Sequence, residues 1–332
     1  MNIFKNKEVL FIAPKFYNYH TQISNFIELN GGKVTFFAED IYTSWYRFLN
    51  RIFPKVSDYF KQKYRSEILD SAKVNNYDFV FVIRGGILTA DMIKKLSLEL
   101  QNAKFIMYQW DSNKQSNYKN IIEHFDVVKT FDRQDAIKFG IEYLPLYYSK
   151  EYEDIRNNRV DKLYDIVFYG AYHSDRLNLV KYIDSFCKQN NLNFKYHLFI
   201  TKMALIRLLI LRILKIKDMA FLKTYSVKTN NIIDIYKQSF SVLDIELSIQ
   251  DGLTMRTFET LGSELKLITT NKNISKESFY DQNNIMILDR KNINLDLNFF
   301  KTSFKTDEKL LQYSFEHWIS NLFKDTNGSI IE

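Results

Sequence analysis

One feature constrains this chain more than any other. Short apolar runs alternate with longer segments whose apolar residues recur at helical spacing. "EVLFIAP" (residues 8–14) is bounded by polar residues and reads as a buried strand. "YHTQISNFIELNGG" follows as a helix with glycines at its end, and "KVTFFAED" is the next strand. Such a β-α-β unit spans roughly 30 residues and builds a parallel sheet, because the helix carries the chain back to start each strand from the same side.

The alternation continues through the strands "YDFVFVIRGG", "AKFIMYQWD" and "FDVVKTFD", the helices "TADMIKKLSLELQ" and "RQDAIKFG", and the exit "IEYLPLYYS". It restarts after the charged stretch "KEYEDIRNNRVDK". There "YDIVFYGAY", "FKYHLFI", "SFSVLDI", "LKLITTN" and "NIMILD" read as strands, with a capped helix "SDRLNLVKYIDSFCKQNN". Two successive halves of this kind predict an α/β fold of two Rossmann-like domains, residues 1–150 and 151–332. The last helix, about residues 306–323, is expected to pack back on the first domain. At 332 residues the chain has room for two hydrophobic cores.

An apolar fraction of 46% excludes wholesale disorder, and a net charge of +7 favours anionic partners. The single cysteine, Cys187, excludes an intramolecular disulfide framework and fits a reducing cytoplasm. The start, "MNIFKNKEVLFIAPKF", has too short an apolar core for a signal peptide, and no spanning helix is expected. Without HExxH, paired cysteines or clustered histidines, no metal site is expected. No nucleic-acid-binding motif accompanies the basic residues, so no nucleic acid is expected either.

The stretch with most chemistry is "QDGLTMRTFETLGSELKLITTN" (residues 250–271). A strand enters a loop, and a helix begins near Gly252 or Leu253. Glycine there lets an anion approach the backbone, where the helix's unpaired N–H groups and positive end stabilise phosphate. Thr254 adds a hydroxyl, and Arg256 a guanidinium fork suited to a pyrophosphate. Glu259 can accept hydrogen bonds from the two hydroxyls of a ribose. Arg256 and Glu259 are also three apart, the spacing of an ordinary surface salt bridge, and the residues alone leave that reading open.

The chain resembles GT-B glycosyltransferases of the CgeB-like and lipopolysaccharide-biosynthesis type. The resemblance rests on "DGLTMRTFETLGSELKLITTN", "DIVFYGAYHSDRLNLV" and the run from "IMYQWDSNKQSNYKN" to "FDVVKTFDRQDAIKFGIEYLPLYY". It implies two Rossmann-like domains facing across a cleft, a nucleotide-sugar donor on the second domain, Glu259 on the ribose, and no metal. Asp251 stands eight residues before Glu259, where many retaining members carry the first Glu of an E-x7-E pattern. Aspartate at that place leaves retaining and inverting chemistry both open.

Other candidates lie at strand ends. Gly170 would let the chain turn under a diphosphate, Ser174 or Asp175 would cap the next helix, and His173 and Arg176 would reach donor phosphate or sugar. A plain cap, a surface arginine and a loop histidine are the alternatives. Trp110, Asp111 and Ser112 sit at another strand's end, with Asp111 a candidate general base for an acceptor hydroxyl and a turn-forming aspartate its alternative. Arg84, in "IRGG", is placed on the acceptor side. Lys15, Tyr17 and His20 follow Pro14, where similar enzymes line the acceptor pocket.

Two basic, apolar segments remain. "TSWYRFLNRIFPKVSDYFKQKYRS" mixes aromatic and cationic residues. "MALIRLLILRILKIKDMAFLK" reads as one helix whose Arg207, Arg212, Lys215 and Lys217 spread over more than half its circumference. A bilayer-surface helix and a core or oligomer helix both fit it. The expected protein is a cytoplasmic transferase, peripheral on the inner face of the plasma membrane. It would move a sugar to a glycan or lipid-linked glycan acceptor in surface-polysaccharide assembly. A nucleotide-sugar epimerase or hydrolase of the same fold, or a binding module without turnover, is the alternative.

Overall fold

The computed structural model describes residues 2–15, 18–158, 160–173, 175–247 and 251–324. Tyr17 and Ser174 lie outside the described residues. The chain divides into two compact units, Met1–Pro145 with Ile319–Glu332, and Leu146–Trp318.

The first unit holds a six-stranded sheet of β1 (Glu8–Ala13), β2 (Lys33–Ala38), β3 (Phe79–Ile83), β4 (Lys104–Gln109), β5 (Val127–Thr130) and β6 (Glu142–Tyr143), in the order β2-β1-β3-β4-β5-β6. The second holds β7 (Tyr164–Ala171), β8 (Phe194–Phe199), β9 (Leu222–Lys223), β10 (Ser239–Asp244), β11 (Lys266–Thr269) and β12 (Ile285–Ile287), in the order β12-β11-β10-β7-β8-β9. Every pairing is parallel.

Parallel strands covered on both faces must be apolar throughout, and β3 is buried at every position. One face of the first sheet packs Leu10, Ile12, Val80, Val82 and Met107 against Ile68, Met92 and Leu96 of the flanking helices. On the other face the Phe11 and Phe81 rings stack at 4.8 Å, and Phe323 closes on Phe81 at 5.4 Å and Phe4 at 4.9 Å. In the second unit Ile166, Phe168, Leu243 and Ile268 meet Leu177, Val180 and Ile183 of the helix Arg176–Gln189. Cys187 is buried there, which pushes its thiol up to about 12 and leaves it unreactive at neutral pH.

Two expectations change, and one segment left without an element gains two helices. The first basic aromatic segment forms two helices, Ser44–Ile52 and Pro54–Val74, the second opened by a proline at its first turn. The second basic segment is not one helix. It runs helical only over Lys202–Ile210, turns at Arg212 (φ 55°), and resumes as a 3-10 helix at Ile216–Phe221. The last helix is also broken, into a 3-10 turn Glu308–Tyr313 and a helix Phe315–Leu322. Its break has a cause: the Tyr148 N–H donates to the Tyr313 carbonyl and the Phe315 N–H to the Tyr148 carbonyl, both at 2.9 Å. Among the described residues, no helix is long and apolar enough to cross a membrane.

Gly262 reads as a turn residue in the sequence, but it is the buried last residue of the helix Met255–Gly262. A Cβ at this position would overlap the ring of Tyr148. Gly262→Ala is therefore expected to lower stability by about 1–3 kcal/mol through overpacking. Urea melts measure this, and an unchanged midpoint contradicts the packing.

Candidate functional site

Open parallel sheets bind ligands beyond the carboxyl ends of their strands, where the strand order reverses. In the second unit the chain leaves β7 for β8 and β9 on one side, then returns to β10, β11 and β12 on the other. The reversal point lies between β7 and β10, and the stretch singled out in the sequence is anchored there.

Asp244, the last residue of β10, is fully buried. Its Oδ2 accepts from the Thr254 hydroxyl at 2.6 Å and the Thr257 hydroxyl at 3.2 Å, and its Oδ1 pairs with Arg256 Nη1 at 3.3 Å. Arg256 Nη2 donates to the Tyr169 carbonyl on β7 at 2.6 Å. Burial opposes the Arg256 charge, but Tyr236, Asp244 and Glu259 outweigh it and keep the guanidinium protonated. Thr254 is the N-cap, accepting from the Thr257 N–H.

Asp251 and Gly252, which lead into the helix, are held as well. Asn271 Nδ2 donates to the Gly252 carbonyl at 3.2 Å, and Asn273 Nδ2 to the Asp251 carbonyl at 3.1 Å. Gly252 and Leu253 are buried, and Asp251 is half-buried. The helix that starts at Met255 therefore has its positive end at a short anchored lead-in, residues 251–254, the arrangement that accepts an anion.

A second cluster, unforeseen in the sequence, adjoins this one. Buried Glu246 accepts from the Thr270 hydroxyl and pairs with Arg290 at 2.9 Å, while Arg290 Nη1 pairs with Asp175 at 2.6 Å. Burial raises the Glu246 carboxyl. Asp244 and Glu246 carried one signal, two carboxylates in "VLDIEL" where an apolar strand ends.

Two predicted donor contacts have other work. Arg176 is buried and donates through Nε to the Ile245 carbonyl at 2.8 Å, through Nη1 to the Ala171 carbonyl at 3.0 Å, and through Nη2 again to Ile245. It ties the ends of β7 and β10 together and does not offer a free fork to phosphate. Burial, and next the charge of Arg256, bring its pKa down to about 10. Gly170 lies inside β7, and a Cβ there would come within 2.8 Å of the Phe168 ring and 3.0 Å of Arg176. Its glycine is required by that packing. Asp175 precedes the helix Arg176–Gln189 but makes no cap bond with its side chain; the carboxylate meets Arg290.

His173 follows β7. Burial, then Arg176 and Arg290, lower its pKa to about 4, with Arg256 adding to the shift and Asp175 opposing it. Three arginines thus act on one position just past the sheet. Glu259 is buried further along the helix from Arg256, and its charge adds to burial in raising the hydroxyls of Tyr147 and Tyr152.

In the first unit the predicted residues form two groups. Arg84 follows β3 at φ 65°, and Gly85 comes next at φ 77°. A left-handed arginine is strained, and ion pairs on both sides hold it: Nη1 to Asp111 at 3.1 Å and Nη2 to Glu39. Buried Glu39, missed in the sequence although it follows a strand, also accepts from the Gly86 N–H at 3.0 Å and the Tyr42 hydroxyl at 3.2 Å. Lys15 and His20 share the ring of Phe36, at 5.9 and 5.0 Å. Burial, then Lys15, lower the His20 pKa. Trp110 is half-buried beside Tyr19, and Ser112 is buried with its carbonyl accepting from the Gln115 and Ser116 N–H groups. A cavity of about 480 Å³ opens nearby, lined by Lys15, Asp40, Tyr42, Trp45, Phe60, Lys63 and Tyr64 among others. Among the described residues, no group of three or more His, Cys, Asp or Glu is arranged to hold a metal.

No family model matches this chain, and no curated protein matches it by sequence. Solved structures do resemble it. A glycosyltransferase from Rickettsia africae ESF-5 is 14% identical over 86% of this chain and 85% of that one, with a TM-score of 0.54. The N-terminal domain of Candida albicans trehalose-6-phosphate phosphatase is 10% identical over 94% and 95%, at 0.57. The lipopolysaccharide outer core galactosyltransferase WaaB, in its apo form, is 12% identical over 94% and 96%, at 0.53. At such identities the likeness is one of fold. Two α/β units, each built on a six-stranded parallel sheet, make this the GT-B fold.

The His173 shift has a consequence for stability. A folded-state pKa near 4, against the usual 6.5, means the unfolded chain binds the extra proton first as pH falls. Wild type should therefore lose stability relative to His173→Gln as pH falls from 6.5 to about 4, with the offset between the two level above that window. Urea melts across the range test this, and a difference independent of pH contradicts it.

Proposed function

We propose that this protein is a glycosyltransferase whose second unit binds a nucleotide-sugar at the Asp244-anchored helix end. One observation carries the reading: at the reversal point of a parallel sheet, a helix N-terminus capped by Thr254 lies with Arg256, both tied to Asp244 at the end of β10. The diphosphate would meet the backbone of Gly252, Leu253 and Thr254. Arg256, though held by Asp244 and Tyr169, would supply fixed positive charge to the departing nucleotide. Glu259 is assigned to the ribose and Asp251 to the donor sugar or its loop.

The first unit would present the acceptor, a glycan or lipid-linked glycan of surface-polysaccharide assembly. Lys15, Arg84, Trp110 and Ser112 are assigned to it, and the aromatic cavity beside Lys15 offers ring faces that suit a sugar. Asp111, which pairs with Arg84, is the first candidate base for the acceptor hydroxyl, and His20, whose protonated form burial and Lys15 disfavour, is the second. No metal is part of this reading. It includes a cytoplasmic setting at the inner face of the plasma membrane, where a lipid-linked acceptor would be met.

Calorimetric titration with UDP, GDP, CDP, CMP and their sugars tests the proposal. One nucleotide should bind, and Glu259→Gln, which keeps the side chain's shape, should weaken it about tenfold. The melting temperature should fall because Arg256 loses a buried countercharge, and circular dichroism shows that the variant is still folded at the titration temperature. Failure of every nucleotide to bind would sink the proposal. Release of free sugar or an isomerised donor without any acceptor would instead mark a hydrolase or epimerase.

A further inference from the structure

The segment between β8 and β9 carries the largest unexplained exposure in the second unit. Its inner side is built into the core: Leu205 and Leu214 are buried, and Ala204, Leu208 and Leu209 pack against the same cluster. The turn is closed by the Arg212 N–H to the Leu209 carbonyl and the Ile213 N–H to the Leu208 carbonyl, both at 3.0 Å. Buried Asp218 then pins the exit, accepting from the Lys215 N–H at 2.8 Å and pairing with Lys181. This is a fixed knuckle.

Its outer side is apolar. Ile210 is 75% exposed, Leu211 53%, Ile213 60% and Ile216 82%, with Met203 and Ile206 exposed on the helix behind them. Holding such residues in water is unfavourable, and contiguous groups of them mark interaction surfaces. The charges around them have one sign. Lys202, Arg207, Arg212, Lys215 and Lys217 are all exposed, and residues 202–217 contain no acid.

We infer that this knuckle docks on a bilayer surface bearing anionic headgroups. Branched aliphatic side chains at the tip enter the acyl boundary, and the surrounding cations meet the phosphates. Exposed aliphatic side chains ringed by five cations, with no acid over this length to repel lipid phosphates, are the combination that an anionic bilayer surface accepts. The inference does not depend on the nucleotide reading, since it rests on a different surface.

Co-sedimentation of the full chain with vesicles tests it. The protein should pellet with phosphatidylcholine–phosphatidylglycerol vesicles, remain in the supernatant with phosphatidylcholine alone, and be released as salt is raised. The triple variant Ile210→Ser, Leu211→Ser, Ile213→Ser, confined to exposed positions, should bind about tenfold more weakly or worse. The pair Lys215→Gln and Lys217→Gln should lose about fivefold per charge. Both should melt as wild type does and keep any nucleotide affinity that wild type shows. Absent binding, equal binding to both vesicles, or a triple variant that binds unchanged overturns the proposal. So does a wild type that self-associates, with the triple variant monomeric and neither pelleting with lipid, which would make the knuckle a contact between copies.

Discussion

Asp244 is a carboxylate without solvent contact at the end of a central strand, and most of the second unit's candidate site is organised by it. An ionised group so buried is tolerated only when paired and hydrogen-bonded. Here the two oxygens are satisfied by Thr254, Thr257 and Arg256, all from one helical turn. The helix end cannot shift without exposing that charge to an unpaired state. The geometry needed to receive an anion is consequently set before any ligand arrives, which is the condition for electrostatic stabilisation without reorganisation.

The first unit repeats the device with different residues. Glu39 follows β2, is buried, and is satisfied by Arg84, Tyr42 and the Gly86 N–H. It holds an arginine in a left-handed conformation and, through that arginine, fixes the position of Asp111. Both units thus use an acid at or just past the end of a parallel strand to lock an arginine at the carboxyl edge of the sheet. The local partners differ: two hydroxyls and a helix cap in one case, a strained turn in the other.

The sheets were legible because strands buried on both faces leave uninterrupted apolar runs, as "FVFVI" does. A helix beginning just after Gly252 was legible too, since a glycine at a helix entry is a local pattern. That Thr254 caps it, and that the Thr254 hydroxyl and Arg256 are held by Asp244, was not, because Asp244 lies back at the end of β10. The role of Arg176 was not legible either. Its partner Ile245 lies 69 residues away, and only the folded sheet brings that carbonyl within reach. Gly262 was hidden for the same reason, being required by Tyr148 from a distant segment. The broken basic segment shows the opposite failure. Its composition suits a continuous helix, but burying Leu214 and Asp218 bends the chain, so tertiary anchoring overrides local propensity.

The central claim is that the loop and helix end held by Asp244 receive the nucleotide. Hydrogen exchange of backbone amides, followed with and without UDP or whichever nucleotide the titrations select, addresses it most directly. Slowed exchange centred on the Gly252–Thr257 amides is the expected result. Protection confined to other segments, with those amides unchanged, would contradict it.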